Sequence, residues 1–474
     1  MSGIRSYGCY IPFHRLKRSE IGETYGGMGK KGERAVAYYD EDSLTMAVAA
    51  AQNAFDGHDI DRVDAVYFAS TTAPYLEKEC ATQIAAVLDV GKELSTADFS
   101  HSLRACASAM ILADRNAARG ETTMVGVGDC RMGGADGANE AAFGDGGAAF
   151  LFSDQNVIAK TLGTCSISAE YHDNWRGKHD AIVRSWDVRY HNTQHYLPYV
   201  QQAVKKILSL LELEPKDFSK IVLYAHDERY QKECALKLGF TPEQLQPCLY
   251  TDIGNTGAAA APIMLAAALD EAAPGEKILY VSYSDGCDVM AFETTEAIAS
   301  YRPNRTVHEL IAHKDNTIPY GKYLKWRELL VFEPQKRPQQ ERSSLPDYYR
   351  NYMKIQGVYG SICTECGTPQ FPPQRVCVNC RSIDKMRPYR FYGRPATVRT
   401  FTMDGLSLSL DPPNYLVVVD FEGGGKMMTY LVDCRPEDIS VGMKVSLSFR
   451  RIFEANGVST YFWKVVPAFE KEGK

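Results

Sequence analysis

Residues 61–70 read DRVDAVYFAS, and residues 217–226 read DFSKIVLYAH. Farther along, ARGETTMVGVGD at 118–129 is answered by APGEKILYVSYSD at 273–285. Both echoes share an offset of about 155 residues, too long for a solenoid repeat, so they describe one large unit that occurs twice. Each member is a β-branched and aromatic run, and Ala-rich stretches of helical spacing separate them at 43–55, 105–118 and 258–272. An α/β fold of two related βαβ-type halves is therefore expected over residues 1–330. In such a pseudo-dimer the chemistry belongs where equivalent strand ends converge.

Beyond this pair the composition changes. Residues 331–346, VFEPQKRPQQERSSLP, are polar and proline-punctuated, and a linker is expected over 331–355. Next comes ICTECGTPQFPPQRVCVNCRS, in which Cys363, Cys366, Cys377 and Cys380 form two Cys-x-x-Cys knuckles. Each knuckle lets two thiolates converge on one ion, and a hairpin joins the pairs into a tetrahedral set suited to zinc. With every position filled by protein, that zinc is structural. A ribbon is expected over 356–383. Five strand-like runs separated by glycine, proline and aspartate then predict a small barrel over 384–474.

The whole chain of 474 residues is 45% hydrophobic and 24% charged, which is globular, and its net charge of −6 provides no basic field for a nucleic-acid backbone. From Gln356 onward, fifteen Lys and Arg face twelve Asp and Glu, a small surplus that argues against nucleic acid on the barrel. No run reaches the roughly 20 apolar residues of a membrane span, and the N-terminus has no signal-peptide pattern. Thirteen cysteines, nine of them scattered, suit a reducing compartment, so a cytoplasmic protein is expected.

Cys106, in HSLRACASAMILAD, falls where small residues lead into an apolar-faced helix. A thiol there is either a nucleophile whose pKa the helix N-terminus lowers or a buried core cysteine. GNTGAAAAP at 254–262 is a tight turn entering a helix, where Asn255 either aims its amide into a cleft as an oxyanion donor or caps the helix. FGDGGAAFLF at 143–152 has glycines for a close chain approach, with Asp145 in a structural role.

Together with EDSLTMAVAAAQNA from Glu41, KLGF at Lys237 and PGEKILYVSYSDG from Pro274, these pieces resemble, in order, the thiolase superfamily. The resemblance lies in the branch of 3-hydroxy-3-methylglutaryl-CoA synthases and initiating ketoacyl synthases. It implies the duplicated, five-layered thiolase-like fold, a homodimer with room for a further thiolase-type partner subunit, and coenzyme A thioesters as substrates. By the same resemblance Cys106 accepts the acyl group and Asn255 helps polarise the second substrate's thioester carbonyl. An acyltransferase that makes carbon–carbon bonds between acyl-CoAs is expected. The rivals are thiolytic or retro-aldol cleavage of a branched acyl-CoA and a non-catalytic acyl-CoA-binding scaffold.

Two positions depart from the branch. ASTTAPY carries Thr71 where the branch has a glutamate general acid/base, and a threonine cannot shuttle that proton at neutral pH. Counting back from Leu238 by the family's spacing to its histidine reaches Tyr224, with His226 two residues later. His226, Tyr224 and Asp227 are therefore all candidates. The segment YHDNWRGKHDAIVRSWDVRYHNTQHY resembles the branch's Trp- and Arg-bearing stretch, and no individual role is read from it. The ribbon and barrel, through FPPQRVCVNC, YGRPATVRTFT and ISVGMKVSLSF, are similar to the zinc-ribbon plus OB-fold domain that accompanies thiolase-like acyl-CoA enzymes.

Overall fold

The computed structural model describes residues 2–27, 30–55, 62–333, 344–407 and 409–469. Asp61 and residues 334–343 of the expected linker lie outside these. The chain forms two compact units, one of residues 1–38 with 42–323 and the other of residues 39–41 with 324–474.

The first unit is built on a nine-stranded sheet. In chain order its strands are β1 (Gly3–Tyr10), β2 (Ala65–Ser70), β3 (Ser95–Ser100), β4 (Thr123–Asp129), β5 (Gly146–Ser153), β6 (Ala159–Ser168), β7 (Lys220–Leu223), β8 (Lys277–Tyr283) and β9 (Gly286–Thr294). In space they run β7-β8-β9-β6-β1-β5-β4-β2-β3. Outward from the centre, β1, β5, β4 and β2 pair antiparallel, antiparallel and parallel, and β6, β9, β8 and β7 repeat that series. The echoed segments thus become equivalent strands, β2 with β7 and β4 with β8. A short antiparallel ladder, Gly3 with Lys160 and Ile4 with Ala159, joins the halves. Leu245, bridged in parallel to Ile221, stands where β3 stands in the other half.

Helix chemistry follows position. The helix Leu197–Leu211 buries one stripe, Val200, Ala203, Val204 and Ile207, and packs it against β6 and β9. The helix Ala260–Glu271 is buried on every side from Ala260 to Leu269, because alanine-rich surfaces let neighbouring layers close upon it. Ala105–Ala117 is also alanine-rich and largely buried, with Arg115 exposed. The close approach expected of FGDGG is present: a Cβ on Gly144 would collide with the carbonyl oxygen of Ile253. Asp145 serves the backbone, accepting from the Ala37 amide at 2.7 Å.

The second unit opens with two short helices, Leu345–Arg350 and Tyr352–Gly357, inside the stretch expected as linker. The ribbon strands are Tyr359–Cys363, Pro369–Gln370 and Met386–Arg390, the last reaching past residue 383. The barrel strands β10 (Ala396–Asp404), β11 (Asn414–Phe421), β12 (Lys426–Leu431), β13 (Lys444–Ala455) and β14 (Val458–Pro467) close in the order β10-β11-β12-β14-β13. Strict alternation along β12 points Met427, Thr429 and Leu431 inward. Trp463 is fully buried, and its indole N–H donates to the carbonyls of Ile355 and Gln356 at 3.0 and 3.1 Å. Arg450, also buried, meets Glu41 at 2.8 Å, Asp40 at 3.3 Å and Asp433, while Lys464 meets Asp40 at 2.7 Å.

Candidate active site

Cys106 is the second residue of the helix Ala105–Ala117 and is 1% exposed. The helix N-terminus was expected to lower its thiol pKa. Burial instead pushes the thiol well above its ordinary value, because desolvation disfavours the thiolate. The start of this helix is fastened to the other half of the fold. Arg104 donates to Asp288 at 2.8 Å and to the Asp285 carbonyl at 3.3 Å, Ser102 donates to Asp285 at 2.9 Å, and Ser108 donates to Asp288 at 2.8 Å. The helix also packs against the 3₁₀ turn Gly257–Ala259 that follows Asn255.

Asn255 is buried and oriented. Its Oδ1 accepts from the Gly257 amide at 3.1 Å and from Arg131 at 3.2 Å. The Nδ2 group is thereby turned toward the Tyr224 hydroxyl at 3.3 Å and the His226 carbonyl at 3.5 Å, both long contacts. A fixed carbonyl side and a loosely held N–H side make a donor ready for a developing oxyanion. Gly257 has φ +64, and a Cβ there would strike Asp129 and Arg131, so the turn admits only glycine beside those charges.

Thr71, at the position of the branch's glutamate, donates its hydroxyl to Asp129 at 2.8 and 2.9 Å from the two carboxylate oxygens. Asp129, fully buried at the end of β4, also accepts from the Thr72 hydroxyl at 2.6 Å and from the Ala258 amide at 2.9 Å. One carboxylate thus links both halves. Sequence reasoning missed Asp129 and Arg131. The available signal was that the two echoed segments, 118–129 and 273–285, each end in an aspartate, Asp129 and Asp285.

Of the three candidates at the end of β7, Asp227 is a helix N-cap that accepts from the Tyr230 amide at 2.9 Å. Tyr224 is buried on Asn255; burial raises its hydroxyl pKa, against the opposing pull of Arg131. The His226 Nε2 lies 3.2 Å from Asp173, which also stands 3.4 Å from His191 Nε2. Burial alone would raise the Asp173 carboxyl, yet His226 and then His191 hold it below the ordinary carboxylate value. Asp173 and His191 were not singled out from the sequence. Arg176, three residues beyond Asp173, reaches the Thr71 carbonyl, so one loop touches both the His226 and the Thr71 sides. A cavity of 370 Å³ opens nearby, lined by Arg189, Asn192, Tyr196, Arg229, Glu233 and Lys237 among others. The Tyr196 hydroxyl donates to the Tyr224 carbonyl at 2.7 Å, which sets this cavity beside the Tyr224–His226 strand end.

The four ribbon cysteines converge. Cys363 and Cys380 sulfurs are 3.6 Å apart, those of Cys366 and Cys377 3.5 Å, and all four lie within 4.8 Å of one another. A tetrahedral ion with Zn–S bonds of about 2.3 Å has edges of roughly 3.8 Å, so the set fits.

The duplicated sheet, with its convergent strand ends, defines a thiolase-like enzyme of acyl transfer. Solved structures share the fold: an HMG-CoA synthase complexed with CoA aligns at TM-score 0.61 and 17% identity over 73% of this chain and 95% of that one. The 3-oxoacyl-(acyl carrier protein) synthase III of Pseudomonas aeruginosa aligns at 0.56 and 17% over 62% and 98%. In sequence, the hydroxymethylglutaryl-CoA synthase of Methanopyrus kandleri is 32% identical over 352 residues, 70% of this chain and 98% of that protein. That of Pyrococcus furiosus is 31% identical over 69% and 97%. The chain belongs to the hydroxymethylglutaryl-CoA synthase family. Its second unit matches the families described as ChsH2 rubredoxin-like zinc ribbon domain, at residues 354–384, and ChsH2 C-terminal OB-fold domain, at 389–450.

Proposed function

We propose that the chain is an acyl-CoA condensing enzyme in which Cys106 takes an acyl group from coenzyme A and Asn255, with His226, stabilises the oxyanion or enolate of the second reaction. In acylation the Cys106 sulfur bonds to the thioester carbonyl carbon, the carbon–sulfur bond to CoA breaks, and the thiol proton leaves with the CoA sulfur. The observation that carries the reading is the orientation of Asn255, whose amide nitrogen is presented while Arg131 and Gly257 hold its oxygen. The Arg189, Arg229 and Lys237 side of the cavity suits the phosphates of coenzyme A. Incubation with acetyl-CoA followed by peptide mass spectrometry should add an acetyl group at Cys106 and none in Cys106→Ala. An enzyme that binds CoA and stays unmodified would make the chain a scaffold.

Cleavage of a branched acyl-CoA is a second reading, favoured by one observation: Thr71, bonded to Asp129, replaces the synthase glutamate. Supplying a branched 3-hydroxyacyl-CoA and following the release of shorter thioesters separates the two directions. The ribbon cysteines are read as holding a structural zinc, and the chain as a homodimer, testable by metal content and solution mass. Thirteen cysteines with no disulfide among the described residues support a cytoplasmic setting.

A further inference from the structure

The first unit contains a second group of metal-type ligands, far in sequence from the ribbon. Asp173, His191 and His226 each offer one ligand atom, and the three atoms lie within 4.8 Å of one another. The Asp173 Oδ2 atom is shared, 3.4 Å from His191 Nε2 and 3.2 Å from His226 Nε2. Both Nε2 atoms are buried and meet that one carboxylate oxygen at ion-pair distance without a well-aligned hydrogen bond, and the His191 side chain is only 1% exposed.

We infer that Asp173, His191 and His226 bind one divalent transition-metal ion. Ligands about 2.0–2.1 Å from a tetrahedral ion stand roughly 3.3–3.4 Å apart, which matches the two separations seen. Two imidazoles and one carboxylate are the donor set that zinc and its neighbours accept, and three protein ligands leave one position open. Packing holds the donors: the Tyr171 ring stacks on His191 at 5.5 Å and 22°, and the two imidazole rings meet edge to face at 4.9 Å. His226 is next to the turn of Asn255 through its carbonyl. An ion there makes His226 a ligand, and its open position can take a carbonyl oxygen as a Lewis acid. The site shares His226 with the proposed second reaction but does not involve Cys106, so acylation of Cys106 tests the acyl-transfer reading apart from it.

The test uses the full chain, stripped of metal by chelation and then loaded with Co²⁺ or Zn²⁺ alone. After equilibration and desalting, elemental analysis should find two zinc ions per chain, falling to one in His191→Ala or Asp173→Asn and, independently, to one in Cys363→Ser. Co²⁺ should give two spectra, one with the intense sulfur-to-metal charge transfer of the ribbon and one with only weak visible bands of nitrogen and oxygen ligation. A single ion, lost only with the ribbon cysteines, overturns the inference. If His191→Ala fails to fold, the wild-type cobalt spectrum decides alone: thiolate bands without a second, charge-transfer-free component overturn it. Acetyl labelling of Cys106 in the same metal-free sample tests the acyl-transfer reading by itself.

Discussion

Cys106 and Cys366 carry the same thiol into opposite surroundings. Cys106 sits in an alanine-rich helix, almost wholly covered by protein, and burial drives its pKa up. Cys366 lies exposed on a turn, where the Thr368 hydroxyl, 3.2 Å from its sulfur, and the Thr368 backbone pull it down to about 6. The ribbon assembles its own environment from neighbours in sequence, whereas the setting of Cys106 is made by distant segments: the Arg104–Asp288 pair that fastens its helix spans 184 positions. Function by local spacing and function by tertiary convergence coexist in one chain. The second unit buries a larger charge cluster, with Arg450 set among Asp40, Glu41 and Asp433.

The largest effect should come from the ribbon. Cys363→Ser removes one ligand of a site whose metal supplies folding energy on the order of 10 kcal/mol, so the ion should be lost and the ribbon should unfold. Metal content together with limited proteolysis around residues 359–390 checks this, and retained protection would show that the ribbon folds without its ion. Arg450→Ala should cost about 3–5 kcal/mol in denaturant unfolding, because it strands buried carboxylates with Lys464 as their remaining buried cation. A cost below about 1 kcal/mol would mean that these acids are hydrated.

Asn255→Ala should lower kcat about 10²- to 10³-fold, the usual cost of losing a preorganised oxyanion donor, while Cys106 still accepts the acyl group. Loss of acylation as well would assign Asn255 to the first half-reaction. The smallest effect per step is in the pH profile of alkylation at Cys106. Since its pKa lies above the ordinary 9.0, the thiolate fraction and the rate should climb about tenfold per pH unit from 7 to 9 with no plateau. A plateau for Cys106 near neutral pH would mean that substrate access also brings in water or a cation that the resting site lacks.

Much of this molecule was readable before any fold was drawn. The two echoes became equivalent strands, the Cys-x-x-Cys pairs gathered, and five runs closed into a barrel, since each depends on periodicity or spacing within a short segment. The turn at Asn255 was readable for the same reason. The sign of the Cys106 shift was not, because it depends on how completely other layers cover the sulfur. The roles of Asp129, Arg131, Asp173 and His191 were not readable either, because each depends on partners that only the fold brings near.

What the amino-acid order determined alone was the duplicated α/β unit, the four-cysteine ribbon and the small barrel, through patterns that hold within a few turns of chain. Only the tertiary structure decided that Thr71 leans on Asp129, that Arg131 holds the Asn255 oxygen, and that His191 joins His226 on Asp173. Strand ends far apart in sequence meet at the junction of the two halves. Electrostatics and desolvation act through space, so the chemistry of those groups exists only once the halves have closed on each other.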